Sequence, residues 1–334
     1  MLETSGNGLL LLLTNEQSQP AIFHSKPHET KTSKERTVTM KSVEVLTAGL
    51  WHDSIGDIAI LQATLQQLAI REIPAIAVNH ASGLRTCIVG GGRIIHPRAS
   101  GTWKEVLEPF HVPGPHILNG VEVVGDVDAP SLSWLKDYRY VSVRDLASLE
   151  KVRVVRPDAV AVPCSAILLD PPNRDYCRQL QGLELLDRLH GSEYAVIDFE
   201  SASKWKCPMQ SVAVNTRGWN VQDTRAKFQH RNPDALLALL AGACVCVATT
   251  LHLSILAMAA GTPFVYDVGM SGTPDKGQLY WTRAGLPDVL YDGNDPIGAA
   301  IAANEQIFAA RRRERNAAAK HFDRIALLLK EPSS

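Results

Sequence analysis

Between Ala235 and Tyr266 the chain carries no aspartate, glutamate, lysine or arginine, yet a histidine, His252, stands near its middle ("ALLALLAGACVCVATTLHLSILAMAAGTPFVY"). A stretch this apolar is either a membrane span or the interior of a buried sheet. Thr249, Thr250 and His252, followed by "GTP" at residues 261–263, divide it into three pieces. "ACVCVA" is short and β-branched, "HLSILAMAA" is helix-forming and "PFVYDV" is β-like. Strand, helix and strand without charge is how a parallel sheet covered on both faces reads. The run is therefore expected to be core, and His252 sits where a buried strand turns into a helix.

The same alternation extends over most of the chain. Strands are expected in "SVEVLTA", "IPAIAVN", "TCIVGGG", "HILNGVEVV" and "RYVSVRD", with one or two more in "DAVAVPCSAILLD". Helices are expected in "GDIAILQATLQQLAI", "WKEVLEPF", "APSLSWLKDY" and "DLASLEKV". "PPNRD" at residues 171–175 then punctuates the chain like a linker. The pattern restarts with "GLELLDRLHG" (helix), "YAVIDF" and "SVAVNT" (strands) and "PDALLALLAGA" (helix). It ends in one long helix over about residues 295–329, whose "AARRRERNAAAK" cluster reads as a solvated face. The expectation is an α/β protein of two Rossmann-like, doubly wound domains, residues 41–172 and 173–334, facing a cleft with ligands at the strand carboxyl ends. Residues 1–40 read as a flexible leader. Its "GLLLLLT" is too short for a membrane span and lacks the basic flank and cleavage site of a signal peptide.

With 334 residues, 45% hydrophobic, the chain can bury a large core. A formal net charge of −1 gives no global attraction to nucleic acid, so any anion site must be local. Six cysteines with no CxxC pair point to a reducing compartment and no structural zinc.

Three strand-to-helix turns are candidate ligand contacts, because free N–H groups at a helix N-terminus and the helix dipole both favour anions. The first is "GLWHDSIGD" with Ser54, Gly56 and Asp57. It reads either as a backbone approach to a ligand or as a plain cap. The second is "CIVGGGRII", where Gly90, Gly91 and Gly92 permit positive φ and close approach. It is neither a Walker loop nor a GxGxxG fingerprint. The third is "VATTLHLSI", where Thr249 or Thr250 serves as N-cap and places His252 in the first helical turn. An imidazole there can bind an anion or carry a proton. The competing reading is a core histidine bonded to a backbone carbonyl. Arg144, Arg217 and Lys276 follow expected strands or lie in loops, where a cleft would collect their charge.

Taken in order, these pieces resemble the polysaccharide pyruvyl transferase family. The matching segments are "SIGD", the "GGG" turn, "VSVRDLAS", the strand around "VPCSAILLD", "LHLSILAMAAGTPFV" and "KGQLYWTRAGLPD". The resemblance implies an architecture similar to the glycosyltransferase-B fold. It also implies transfer of the enolpyruvyl-derived group of phosphoenolpyruvate onto sugar hydroxyls, usually giving a pyruvate ketal. His252 matches the motif histidine, Arg144 the arginine of "RD", and Lys276 the lysine before the "GL". Thr250 stands where many members have arginine, which removes a bidentate anion partner, and Ser54 stands where they have asparagine. Donor binding is then expected to fall to Arg144, Arg217, Thr249, Thr250 and Lys276, with His252 as acid or base and no metal or cofactor. A glycan acceptor, free or lipid-linked, and a cytoplasmic setting at or near the membrane's inner face follow from the same resemblance. Two other readings stay open: a glycosyltransferase using a nucleotide sugar, and a homologue that binds a glycan or partner without catalysis.

Overall fold

A computed structural model describes residues 42–47, 55–95, 112–172, 195–198, 212–214, 227–228, 232–241, 245–248, 250–268, 276–292 and 295–331. Two all-parallel sheets organise these residues. The first joins β1 (Val43–Leu46), β2 (Ala75–Ala77), β3 (Cys87–Gly90), β4 (Arg93–Ile95), β5 (Ile117–Val123), β6 (Tyr140–Val143) and β7 (Val160–Ala161). Its order is β2-β1-β3-β5-β6-β7, with β4 alongside β5. The second joins β8 (Ala195–Asp198), β9 (Val212–Val214), β10 (Lys227–Phe228), β11 (Val245–Ala248), β12 (Phe264–Asp267) and β13 (Leu290–Tyr291) in the order β10-β9-β8-β11-β12-β13. Apolar strands with no polar face can be buried on both sides only when crossover helices cover them, which is the parallel arrangement.

Each order reverses direction once. In the first sheet the reversal lies between β1 and β3, and in the second between β8 and β11. These are the topological switch points where open α/β sheets bind ligands, outside the strand carboxyl ends. The helix α1 (Ile55–Ile70) leaves β1 at the first switch point. The helix α4 (Leu251–Ala260) leaves β11 at the second.

Both sheets lie within one compact unit, Met40–Ser334. A continuous apolar core includes Val45 and Ile60, Ile167 and Leu168, Leu236 and Leu256, and Phe322. It draws on β1 and α1 from the first sheet and on α3 (Pro233–Ala241) and α4 from the second. The 3-10 turn Ser165–Leu168 and the C-terminal helix α7 (Asn304–Lys330) complete it. Gln62 Nε2 also donates to Asp234 Oδ1 at 2.6 Å, tying α1 to α3.

Several sequence expectations change. The run expected to supply one or two strands forms only the two-residue β7 and then the 3-10 turn Ser165–Leu168. Pro163 has no N–H to extend the ladder. The "APSLSWLKDY" helix is 3-10 over Pro130–Asp137. The long terminal helix is two helices, α6 (Pro296–Ala302) and α7, with Ala303 at the break. The short strands β4, β10 and β13 carry no period of their own and were not anticipated. The leader, the "WKEVLEPF" helix and the "GLELLDRLHG" helix lie outside the described residues. Among the described residues no helix is long and apolar enough to cross a membrane.

The arginine cluster is not simply a solvated face. Arg311 Nη2 donates to Ala259 O at 2.7 Å and Arg313 Nη2 to Ala284 O at 3.0 Å. Arg315 Nη1 donates to Ile167 O and Leu169 O, both at 3.0 Å, and Nη2 reaches Asp170 Oδ1 at 2.8 Å. These carbonyls close α4, the helix α5 (Lys276–Arg283) and the Ser165–Leu168 turn. They are the acceptors that helix ends leave unsatisfied, and a guanidinium there also meets the negative end of the dipole. Gly261 (φ 83) and Gly285 (φ 70) supply the left-handed residue after α4 and α5.

Candidate active site

Of the two threonines expected as cap, Thr250 is the N-cap of α4, with φ −115 and ψ 141, and its side chain makes no capping hydrogen bond. His252 is the second helical residue and is half-buried. Across from it, Gly56 is the second residue of α1. An ideal Cβ on Gly56 would lie 2.0 Å from His252 Nδ1 and 2.1 Å from its Cγ. The imidazole therefore rests on the bare Cα of Gly56. The two sheets thus meet through their switch points: the helix that leaves β1 and the helix that leaves β11 touch at their first turns.

Two N-terminal dipole ends and an imidazole at one place form a chemically distinctive junction. Helix N-termini in general carry positive partial charge and offer N–H groups to anions, and the histidine adds a group able to give or accept a proton. This settles part of the ambiguity over Gly56. The backbone approach it permits is to His252.

Arg144 follows β6 directly, and the structure corrects its expected place on a cleft wall. It is fully buried, its Nη2 paired with Glu122 Oε2 of β5. Burial works against its charge, but Glu122 beside it, with Cys164 and Asp57 further off, holds its pKa above the ordinary value. Its Nη1 has no hydrogen-bond partner among the described residues. The next residue, Asp145, is the N-cap of α2 (Leu146–Arg153) and accepts from Ser148 N at 2.7 Å and Ser148 Oγ at 2.6 Å. Ser148 Oγ in turn accepts from Val123 N at 2.9 Å. The "RDLAS" motif thus ties the start of α2 to β5, with Asp57 of α1 close enough to act on the charge of Arg144. Its charge is locally balanced, and Asp57 adds a carboxylate, so the junction is of mixed sign rather than uniformly positive.

Gly90 and Gly91 serve packing. A Cβ on Gly90 would meet Asn119 O at 2.3 Å, and one on Gly91 would meet Ile60 Cγ2 of α1 at 2.5 Å. Gly91 and Gly92 take φ of 82 and 80. The close approach anticipated for a ligand is made instead by β5 and α1.

Lys276 opens α5, half-buried, after the stretch that follows β12. Gly277 beside it lies against the ring of Tyr266, where a Cβ would fall 2.2 Å from Cζ. Trp281 Nε1 donates to Ser254 Oγ of α4 at 3.1 Å, and Tyr280 OH accepts from Cys164 N at 3.2 Å. Arg283 stacks over Tyr280 at 4.7 Å and pairs with the buried Glu314. The "KGQLYW" segment is thereby locked onto α4, with Lys276 at the helix end nearest the strand carboxyl ends. Ser54, Thr249 and Arg217 lie outside the described residues.

Sequence reasoning missed a second buried polar cluster. His321 of α7 donates from Nε2 to Asn119 Oδ1 at 2.8 Å and accepts at Nδ1 from Tyr140 OH at 3.1 Å, the assignment that satisfies both partners. Burial lowers its pKa to about 3. Nothing in "AKHFDR" marks this role, since it depends on where α7 docks. Glu122 was the more legible omission, an acid inside a buried strand, "ILNGVEV", that is apolar apart from it and Asn119.

Parallel sheets with one reversal of strand order each make this a doubly wound α/β protein, and sequence comparison makes the class a transferase. The sequence model of the polysaccharide pyruvyl transferase family matches residues 132–266. That segment includes the Arg144 and His252 motifs and stops short of Lys276, so the resemblance drawn from the motifs is borne out over this part of the chain. The family's polysaccharide chemistry implies a glycan acceptor. No curated protein matches the sequence. Among solved structures, a functionally uncharacterised protein of Klebsiella pneumoniae is similar at 14% identity and TM-score 0.44, covering 76% of this chain and 94% of that one. OtsA in its apo form gives 9% identity and TM-score 0.40, over 84% of this chain and 78% of that one. The N-terminal domain of Candida albicans trehalose-6-phosphate phosphatase gives 10% and 0.37, over 91% and 100%. The fold class itself rests on the strand order of the two sheets.

Proposed function

We propose that the protein transfers the enolpyruvyl-derived group of phosphoenolpyruvate to two hydroxyls of a sugar in a polysaccharide or glycan precursor, giving a pyruvate ketal and inorganic phosphate. The observation that carries this reading is the meeting of the α1 and α4 N-termini at His252. Such a junction suits a donor that carries both a carboxylate and a phosphate.

In the proposed reaction the methylene carbon of phosphoenolpyruvate takes a proton, leaving an oxocarbenium-like centre at the carbon bearing the phosphate. One sugar hydroxyl adds there and loses its proton. A second hydroxyl displaces phosphate, whose C–O bond breaks as the ring of the ketal closes. His252 gives or accepts the proton, and the helix N-termini stabilise the departing phosphate. Arg217, Thr249 and Lys276 supply the remaining donor contacts. Arg144, buried and paired with Glu122, contributes its charge without touching the donor. The chemistry requires no metal or organic cofactor, and the acceptor is a cytoplasmic glycan precursor.

The test is a reaction of the purified protein with phosphoenolpyruvate and a panel of glycans, followed by phosphate release and product mass. Phosphate released in proportion to a pyruvyl-modified glycan is the expected result. Consumption of a UDP- or GDP-sugar with phosphoenolpyruvate untouched would make it a glycosyltransferase instead.

A further inference from the structure

We infer that Gly56 is a positioning residue for His252. Its missing side chain is the seat of the imidazole, so the first sheet sets the aim of a base that the second sheet supplies. The inference rests on the reading of His252 as the acid–base group, but its geometric part stands without it.

Backbone freedom does not explain the glycine. Gly56 lies inside a helix, without the positive φ seen at Gly91, Gly92 or Gly261. Within a helix glycine is a poorer former than alanine, so residue 56 runs against local propensity. Space explains it. A methyl group here would overlap three atoms of one ring, His252 Nδ1, Cγ and Cβ, at 2.0, 2.1 and 2.4 Å. Contacts below 3 Å cannot be relieved by small adjustments. His252 Cβ is anchored to α4, which is buried over Leu253, Ile255 and Leu256. The ring would therefore have to rotate away or the two helix ends would have to part.

The consequence is specific. A catalytic imidazole on one sheet is usually aimed by its own hydrogen bonds. Here a contact surface on the opposite sheet also fixes it, and that surface belongs to the helix whose N-terminus helps make the anion site. The donor's anionic groups and the proton-carrying ring are held in register by one residue.

The experiment uses the full chain with Gly56→Ala, His252→Ala and the double variant, read by thermal melting, by NMR titration of the His252 ring and by turnover. Gly56→Ala is expected to lower the melting temperature, and His252→Ala is expected to remove that penalty, because the methyl group then meets no ring. The His252 ring resonances should shift in Gly56→Ala while other histidines stay in place. Turnover should fall about a hundredfold with the acceptor KM little changed, as expected of a misplaced reacting group. If Gly56→Ala does not fold but the double variant does, the inference is supported. An equal loss of stability in both backgrounds, failure of both to fold, or an unmoved His252 resonance would overturn it. The melting and NMR arms need no substrate, so they stand even if phosphoenolpyruvate proves not to be the donor.

Discussion

Arg144, one residue past β6, pairs with Glu122 of the neighbouring β5, and both side chains are buried. A buried ion pair adds little net stability over an apolar substitute, but removing one partner leaves a charge without compensation. Glu122→Gln should therefore cost about 3 kcal/mol, read as a lower urea midpoint. Replacing both residues by apolar side chains of similar volume should cost markedly less. Equal losses would show that Arg144 is balanced by some other group.

His321 is neutral and buried, its pKa depressed from 6.5 to about 3 by burial. The unfolded chain binds a proton there near pH 6.5, while the folded chain does not until far lower. Protonation thus favours unfolding below the ordinary value, and stability should fall as the pH drops from about 6.5 toward 3. His321→Gln keeps a donor and an acceptor but cannot titrate. The slope of stability against pH over that window should be shallower in the variant; an unchanged slope would place the titration elsewhere.

Arg311 and Arg313 cap the carboxyl ends of α4 and α5 from a helix far along the chain. Each single alanine substitution should cost about 1 kcal/mol, in the range of a charge at a helix C-terminus. The losses should shrink in high salt. Arg312, which stacks over Phe308 on its own helix, should cost less.

Asp145 is expected to be structural despite standing beside Arg144. Asp145→Ala removes the cap of α2 and should cost about 1 kcal/mol, with Asp145→Ser retaining most of the stability. Phosphoenolpyruvate affinity, measured by calorimetry, should be unaffected in the serine variant. A selective loss of affinity there would move Asp145 into the ligand site.

The uncharged run around His252 was legible because buried parallel strands and their crossover helix leave a strong local signature, and Gly261 closes α4 as a glycine after a helix should. What the sequence could not reveal was which surfaces meet. Gly56 reads as a ligand-facing glycine until His252 is found against it, and Gly90 and Gly91 until Asn119 and Ile60 are. Arg144 reads as an available cation, because Glu122 lies on a different strand and pairs with it only once β5 and β6 are neighbours. The arginines of α7 read as solvated because their acceptors are the ends of elements up to 148 residues away in sequence, as with Ile167. Pro163 was the local clue that the "VPCSAILLD" run would not continue as strand, and it was outweighed by apolar composition.

An anionic donor is expected to sit at the junction of α1 and α4, against His252. Calorimetric titration of phosphoenolpyruvate into the wild-type protein and His252→Ala tests it most directly. Saturable binding to the wild type, weakened about tenfold or more in the variant, corresponds to the loss of one hydrogen bond to a charged group and is the predicted result. Equal affinity in the two proteins would contradict the account and place the donor away from this junction.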